Sequence, residues 1–110
     1  MPNQELSHVF RALTDPTRRA VLERLTRGPA AVSELARPFK MALPSFVQHL
    51  GVLEESGLVR SGKKGRVRTY ALAPQPLKAA ENWLSAQRLE LERRPDSLDD
   101  FLETLKEQKR

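Results

Sequence analysis

Apolar residues recur at helical spacing along most of this 110-residue chain, and the period changes in one place. Leu6, Val9, Phe10 and Leu13 fall at i, i+3, i+4 and i+7, which predicts an amphipathic helix over residues 4–13. Asp15-Pro16 then starts a second helix, about 16–27. Asp accepts from a free backbone N–H there, and Pro lacks a donor where none is needed. Val21, Leu22 and Leu25 point inward, and Gly28-Pro29 ends the helix. A third helix covers about 32–39 with Val32, Leu35, Ala36 and Phe39 inward, and Pro38 stops it running much further. The fourth, about 43–56, carries Phe46, Leu50 and Leu53 on one face and Pro44, Val47, Gln48 and Gly51 on the other.

After Gly57 the helical period gives way to a two-strand ribbon. Leu58-Val59-Arg60-Ser61 opens it and Arg66–Leu72 returns, with Tyr70 and Leu72 anchoring the base. Pro74 and Pro76 turn the chain into a fifth helix, about 76–94. There Leu77, Ala80, Leu84, Gln87 and Leu91 alternate at spacings of three and four, a short coiled-coil-like seam. Pro95 interrupts it. Ser97, with Asp100 three residues on, resembles a capping box for a last short helix that places Leu98, Phe101, Leu102 and Leu105 on one side.

Two helices across a tight turn, followed by a hairpin, form the layout of a winged helix-turn-helix. The expected fold is mainly α with a β-hairpin wing and five to six helices. Residues 1–94 make a DNA-binding and dimerisation domain, and 95–110 a short helical tail.

Charge sharpens this picture. The formal net charge is +5, yet residues 1–80 carry a surplus of +7 and residues 81–110 a balance of −2. A basic body suits a polyanion, and an acidic tail suits solvent or a protein. Between Gly57 and Tyr70 there are five cations and no carboxylate. Lys63, Lys64, Arg66 and Arg68 therefore form the backbone-contacting set expected on the wing. On the fourth helix Gln48 can pair bidentately with adenine, and Val47 can meet a thymine methyl. Pro44 and Ser45 occupy the first turn, where free N–H groups favour a phosphate; for Ser45, helix-start hydrogen bonding is the competing role. His49 stands at the edge of this helix, bonded either to the core or to a phosphate. Arg18 and Arg19 are read as partners of nearby carboxylates or as exposed groups, with phosphate contact as the other option.

Several chemistries are disfavoured. With no cysteine, disulfides, zinc–thiolate sites and thiol switches are excluded. His8 and His49 are the only histidines and come from different helices, so neither metal nor cofactor is expected. No Ser/His/Asp set, phosphate loop or carboxylate pair suggests an enzyme. The start of the chain is unlike a signal peptide and no apolar run approaches a membrane span, which predicts a cytoplasmic protein.

From Ala12 to Leu84 the sequence resembles the ArsR family of bacterial winged-helix repressors. The resemblance is carried by Ala12-Leu13-Thr14-Asp15-Pro16-Thr17-Arg18-Arg19, Val32-Ser33-Glu34-Leu35-Ala36, His49–Val59 and the wing end Tyr70-Ala71-Leu72. It implies a homodimer, built from the first and last long helices, that binds an operator and blocks transcription. Metal-sensing relatives place cysteines near the third helix or Asp/His sets on the fifth, and this chain has neither, so it looks closest to the metal-independent branch. Ala31, Ala42 and Val47 stand where relatives often carry Ser, which predicts softer starts for helices three and four.

The expected function is a homodimeric repressor on a pseudo-palindromic operator, helix 43–56 in the major groove and wing 62–68 on the backbone or minor groove. Leu6, Val9, Phe10, Leu77, Ala80, Trp83, Leu84 and Leu91 are the expected subunit contacts. Trp83 could alternatively line an effector pocket or join the core. An effector or protein partner that shifted the helix spacing would release the DNA. The alternatives are a winged-helix module that docks on another protein, favoured by exposed Val47, and a sequence-blind chromosome binder.

Overall fold

The computed structural model describes residues 2–94 and 98–108. Among them are six helices and three strands: α1 (Pro2–Leu13), α2 (Pro16–Leu25), β1 (Ala30–Ala31), α3 (Val32–Ala36), α4 (Leu43–Glu55), β2 (Val59–Lys64), β3 (Val67–Leu72), α5 (Pro74–Arg93) and α6 (Leu98–Gln108). The chain packs as two compact units, Met1–Ala80 and Glu81–Arg110, divided within α5. Pro95 as a helix break and Ser97 as a capping residue lie outside the described residues. No helix among the described residues is long and apolar enough to cross a membrane.

The junction between α1 and α2 is built from side chains that replace missing backbone partners. Asp15 Oδ2 accepts the Arg18 backbone N–H at 3.0 Å and caps α2, with Pro16 opening the helix. Arg18 and Arg19 then fold back over the end of α1. Arg18 donates to the carbonyls of Ala12 (2.8 Å) and Arg11 (3.2 Å), and Arg19 donates to that of Leu13 (2.6 Å). Cations on the last carbonyls of a helix satisfy orphan acceptors and oppose its dipole. The sequence had these arginines paired with carboxylates or exposed; in the fold they cap α1.

Helix α3 stops at Ala36, three residues short of the expected 39: Arg37 still has helical dihedral angles, but Pro38 has no N–H to continue the ladder, and Phe39 N–H closes a turn on the Ala36 carbonyl at 3.0 Å. Neither Ala31 nor Ala42 supplies a side-chain cap, in line with the absent hydroxyls. Glu34 compensates at α3. Its Oε1 accepts the Ala31 N–H at 3.2 Å, while Oε2 lies 3.7 Å from Arg24 of α2.

The ribbon expected from sequence becomes a three-stranded antiparallel sheet of order β1-β3-β2, because Ala30 and Ala31 pair with Tyr70 and Thr69. Two alanines carry no alternation to reveal a strand. Between β2 and β3 the register runs from Val59↔Leu72 to Lys64↔Val67, leaving Gly65-Arg66 as a two-residue turn. Gly65 has φ +64°, the left-handed value that the first position of a II′ hairpin turn needs.

The core of the first unit gathers Val9 and Ala12 of α1, Val21, Leu22 and Leu25 of α2, Leu35 of α3, and Phe46, Leu50 and Leu53 of α4. Leu58, Val59, Tyr70 and Ala80 complete it, and the Phe39 and Phe46 rings lie 5.4 Å apart. Two expected subunit contacts are corrected here. Val9 (2% exposed) and Ala80 (5%) are enclosed by their own chain and present no side-chain surface to a partner.

The Asp15 cap yields a pH-dependent prediction. Burial opposes its charge, but the Arg18 N–H, the adjacent His49 and Arg18 side chains and the Thr17 N–H outweigh that, holding the carboxyl below its ordinary 3.8. A lowered pKa contributes stability that is present above the unfolded value and lost as pH falls through the folded one. Asp15→Ala should therefore destabilise the protein by about 1 kcal/mol at pH 7, with the gap to wild type closing below pH 3.8. Urea unfolding at the two pH values checks this, and coincident curves at pH 7 would refute the cap.

Candidate nucleic-acid interface

Helix α4 is held by one face. Phe46, Leu50 and Leu53 are each 0% exposed. Burying three such side chains contributes about 1.5–3 kcal/mol apiece, so the orientation of the helix about its axis is fixed. The opposite side is left bare: Pro44, Ser45, Val47 and Gln48 are all exposed. They open the helix, where the first N–H groups are also unpaired within it. Val47 is 45% exposed and Leu43, one turn earlier, 55%, with Met41 adjoining in the preceding turn. Leu43 and Met41 escaped the sequence reading because a leucine at the start of a helix ordinarily signals core; only burial shows that it points out.

Gly51 belongs to the same ridge, seven residues after Pro44. A glycine inside a helix is unfavourable by about 1 kcal/mol relative to alanine. A Cβ built there would meet nothing within 4 Å, so packing within the chain does not require glycine. What the vacancy does provide is a thin stretch of helix on the bare side.

The end of α4 is set by Ser56 and Gly57. Ser56 Oγ donates to the Leu53 carbonyl at 2.6 Å and accepts the Leu58 N–H at 3.2 Å. Gly57 takes φ +79° and turns the chain into β2. This links the wing rigidly to the helix. Directly opposed residues of an antiparallel pair share a face, so Val59, Ser61 and Lys63 lie with Leu72, Tyr70 and Arg68.

That shared face gives Arg68 a partner within the chain. Its Nη1 donates to Ser61 Oγ at 2.8 Å, and Ser61 Oγ donates to Glu54 Oε1 of α4 at 3.1 Å. Burial, followed by the charge of Glu54, raises the Tyr70 phenol above its ordinary value, which keeps the hydroxyl protonated beside that carboxylate. The wing segment has no acid of its own, yet the fold brings Glu54 beneath its base. Arg68 is thus tied to β2 and, through Ser61, to α4, while remaining exposed like Lys63, Lys64 and Arg66 nearer the tip.

His49 is also anchored. Its Nδ1 lies 3.1 Å from Arg18 Nη1 and 3.6 Å from Asp15 Oδ2. A guanidinium only donates, so a bond from Arg18 requires the neutral ring with Nδ1 as acceptor, the tautomer that carries its proton on Nε2. Helix α4 is thereby tied through one imidazole to the α1–α2 junction. Of the remaining expected subunit contacts, Leu6, Phe10 and Leu77 pack against the core of the first unit. Trp83, Leu84 and Leu91 are exposed in the second. Among the described residues no three His, Asp or Glu side chains converge as a metal site.

Known proteins share this arrangement. Residues 13–62 match a helix-turn-helix domain. The chain is 47% identical over 70 residues to the HTH-type transcriptional regulator Rv2034 of Mycobacterium tuberculosis, a match covering 64% of this chain and 65% of that protein. It is 32% identical over 79 residues to the transcriptional repressor SdpR of Bacillus subtilis, covering 72% of this chain and 88% of SdpR. Among solved structures, an ArsR family transcriptional regulator superposes with a TM-score of 0.81 at 56% identity, over 84% of this chain and 95% of its own. An ArsR-like transcriptional regulator from Rhodococcus sp. RHA1 gives 0.72 at 33% identity, covering 83% and 86%.

Since no described residue occupies the space beside Gly51, Gly51→Ala should raise stability by about 0.5–1 kcal/mol. A urea midpoint below that of wild type would show a clash the geometry lacks.

Proposed function

This chain belongs to the ArsR family of winged helix-turn-helix transcriptional regulators, and from that premise we propose that it is a homodimeric cytoplasmic repressor of a pseudo-palindromic operator. The observation that carries the reading is the two-sided construction of α4: one face locked at 0% exposure, the other bare and uncharged beside a cationic wing. Pro44, Ser45, Val47 and Gln48 would face base edges in the major groove. Lys63, Lys64 and Arg66 would lie on phosphates or in the neighbouring minor groove. His49, with its proton on Nε2, can donate to a phosphate while its other nitrogen holds the fold together.

A twofold dimer would set two such helices one turn of the duplex apart. The exposed side chains of Trp83, Leu84 and Leu91 support a subunit contact along α5, together with Leu6, Phe10 and Leu77, which keep part of their surface. We also propose that release does not depend on a thiophilic metal, given a chain without cysteine. The exposed Met41, Leu43 and Val47 would suit a protein groove as well, which favours the docking module as the second reading. Salt separates the two, because a cationic wing on phosphates makes affinity fall steeply as salt rises.

Two measurements test the proposal. Replacing Lys63, Lys64 and Arg66 with Ala should flatten the log–log salt dependence of duplex binding by about 0.9 for each phosphate no longer neutralised; an unchanged slope would take the wing off the DNA. Leu84→Asp should convert the dimer to monomer and reduce operator affinity at least about tenfold, because the two half-sites are then bound separately. An intact dimer in sedimentation would move the subunit contact elsewhere.

A further inference from the structure

We infer that the α4 face of this chain selects A·T pairs over G·C pairs, an inference that rests on the DNA-binding reading above. Its basis is the chemistry of the groups the fold leaves bare. Guanine shows two acceptors in the major groove and is matched best by Arg or Lys, while cytosine shows a donor matched by Asp or Glu. The exposed groups over the first two turns of α4 are Leu43, Pro44, Ser45, Val47 and Gln48, none of them ionisable; His49, the one ionisable group there, is half-buried and bonded to Arg18. The sole carboxamide matches the donor–acceptor pair of adenine, and the apolar groups match the C5 methyl of thymine.

Geometry supports the same assignment. Leu43 and Val47 are one turn apart and 55% and 45% exposed, forming an apolar strip beside Gln48. Such a strip gains by meeting the thymine C5 methyl, an apolar group that a G·C pair does not present. The open space beside Gly51 lets the helix approach closely enough for these short side chains to reach base edges. Within α4 itself the carboxylates come only in the last turn. Glu54 is engaged by Ser61, Glu55 lies in the last turn, and Arg37 and Lys40 precede the helix. At the wing tip Arg66 sits in the two-residue turn, suited to the narrow, strongly negative minor groove of A·T runs.

Selection from a randomised duplex library with the full-length wild type, Gln48→Ala and Gln48→Arg tests this. Wild type should enrich half-sites whose central major-groove positions are A·T. Gln48→Ala should flatten one of those positions, with about five- to 150-fold less discrimination. Gln48→Arg should switch the same position to G·C, since Arg matches guanine. Gln48 is exposed, so neither variant disturbs the core. Wild-type half-sites with G·C at the position Gln48 controls, or a selected sequence unaffected by either substitution, would overturn the inference while leaving DNA binding intact. Failure of all three proteins to enrich any duplex, with no salt-dependent binding, would instead remove the DNA-binding reading and this inference together.

Discussion

Phe46, Leu50 and Leu53 occupy the same side of α4, and their complete removal from solvent decides which residues of that helix the outside world meets. A helix gripped by three large apolar side chains cannot rotate without exposing them, at several kcal/mol. The bare ridge of Pro44, Val47, Gln48 and Gly51 is therefore a consequence of core packing as much as of its own composition. Any rotation would hide Gln48 or expose Phe46. The site is as rigid as the core beneath it.

Around that anchor the fold adds polar ties that carry α4 into its neighbours. Arg18 closes the end of α1 and bonds His49, so one guanidinium spans three helices. At the other end Glu54, Ser61 and Arg68 join α4 to the wing. Both ties use residues that look functional in isolation, a histidine and an arginine in a basic segment. Their partners show that they also position the reading helix and the hairpin relative to each other.

Separation of charge from the reading ridge gives the surface two chemistries. On the proposed reading the wing would supply a strong, long-range and sequence-independent attraction, and the helix short-range contacts of amide and methyl type. A regulator arranged this way would locate DNA through its wing and recognise a site through α4. The exposed apolar side chains of α5 and α6 belong to the second unit, where Trp83, Leu84, Phe101 and Leu102 are 45–56% exposed in the single chain.

Features under local control were legible from the order of residues alone. Helices appear wherever apolar spacing is three and four, Asp15-Pro16 opens α2, Pro38 limits α3, and Gly57 marks a backbone turn that side chains resist. The core face of α4 and its bare ridge were equally readable, since a 3.6 period assigns faces without knowledge of neighbours. Other features arose only when the chain closed on itself. Strand β1 exists because Tyr70 and Thr69, far along the chain, offer backbone partners to two alanines. Arg68 became tied to α4 through Ser61 because Glu54 arrives from another element, and Val9 and Ala80 went inward because their own chain closes over them. Such contacts join residues distant in sequence, and a one-dimensional period carries no information about which distant groups folding will bring together.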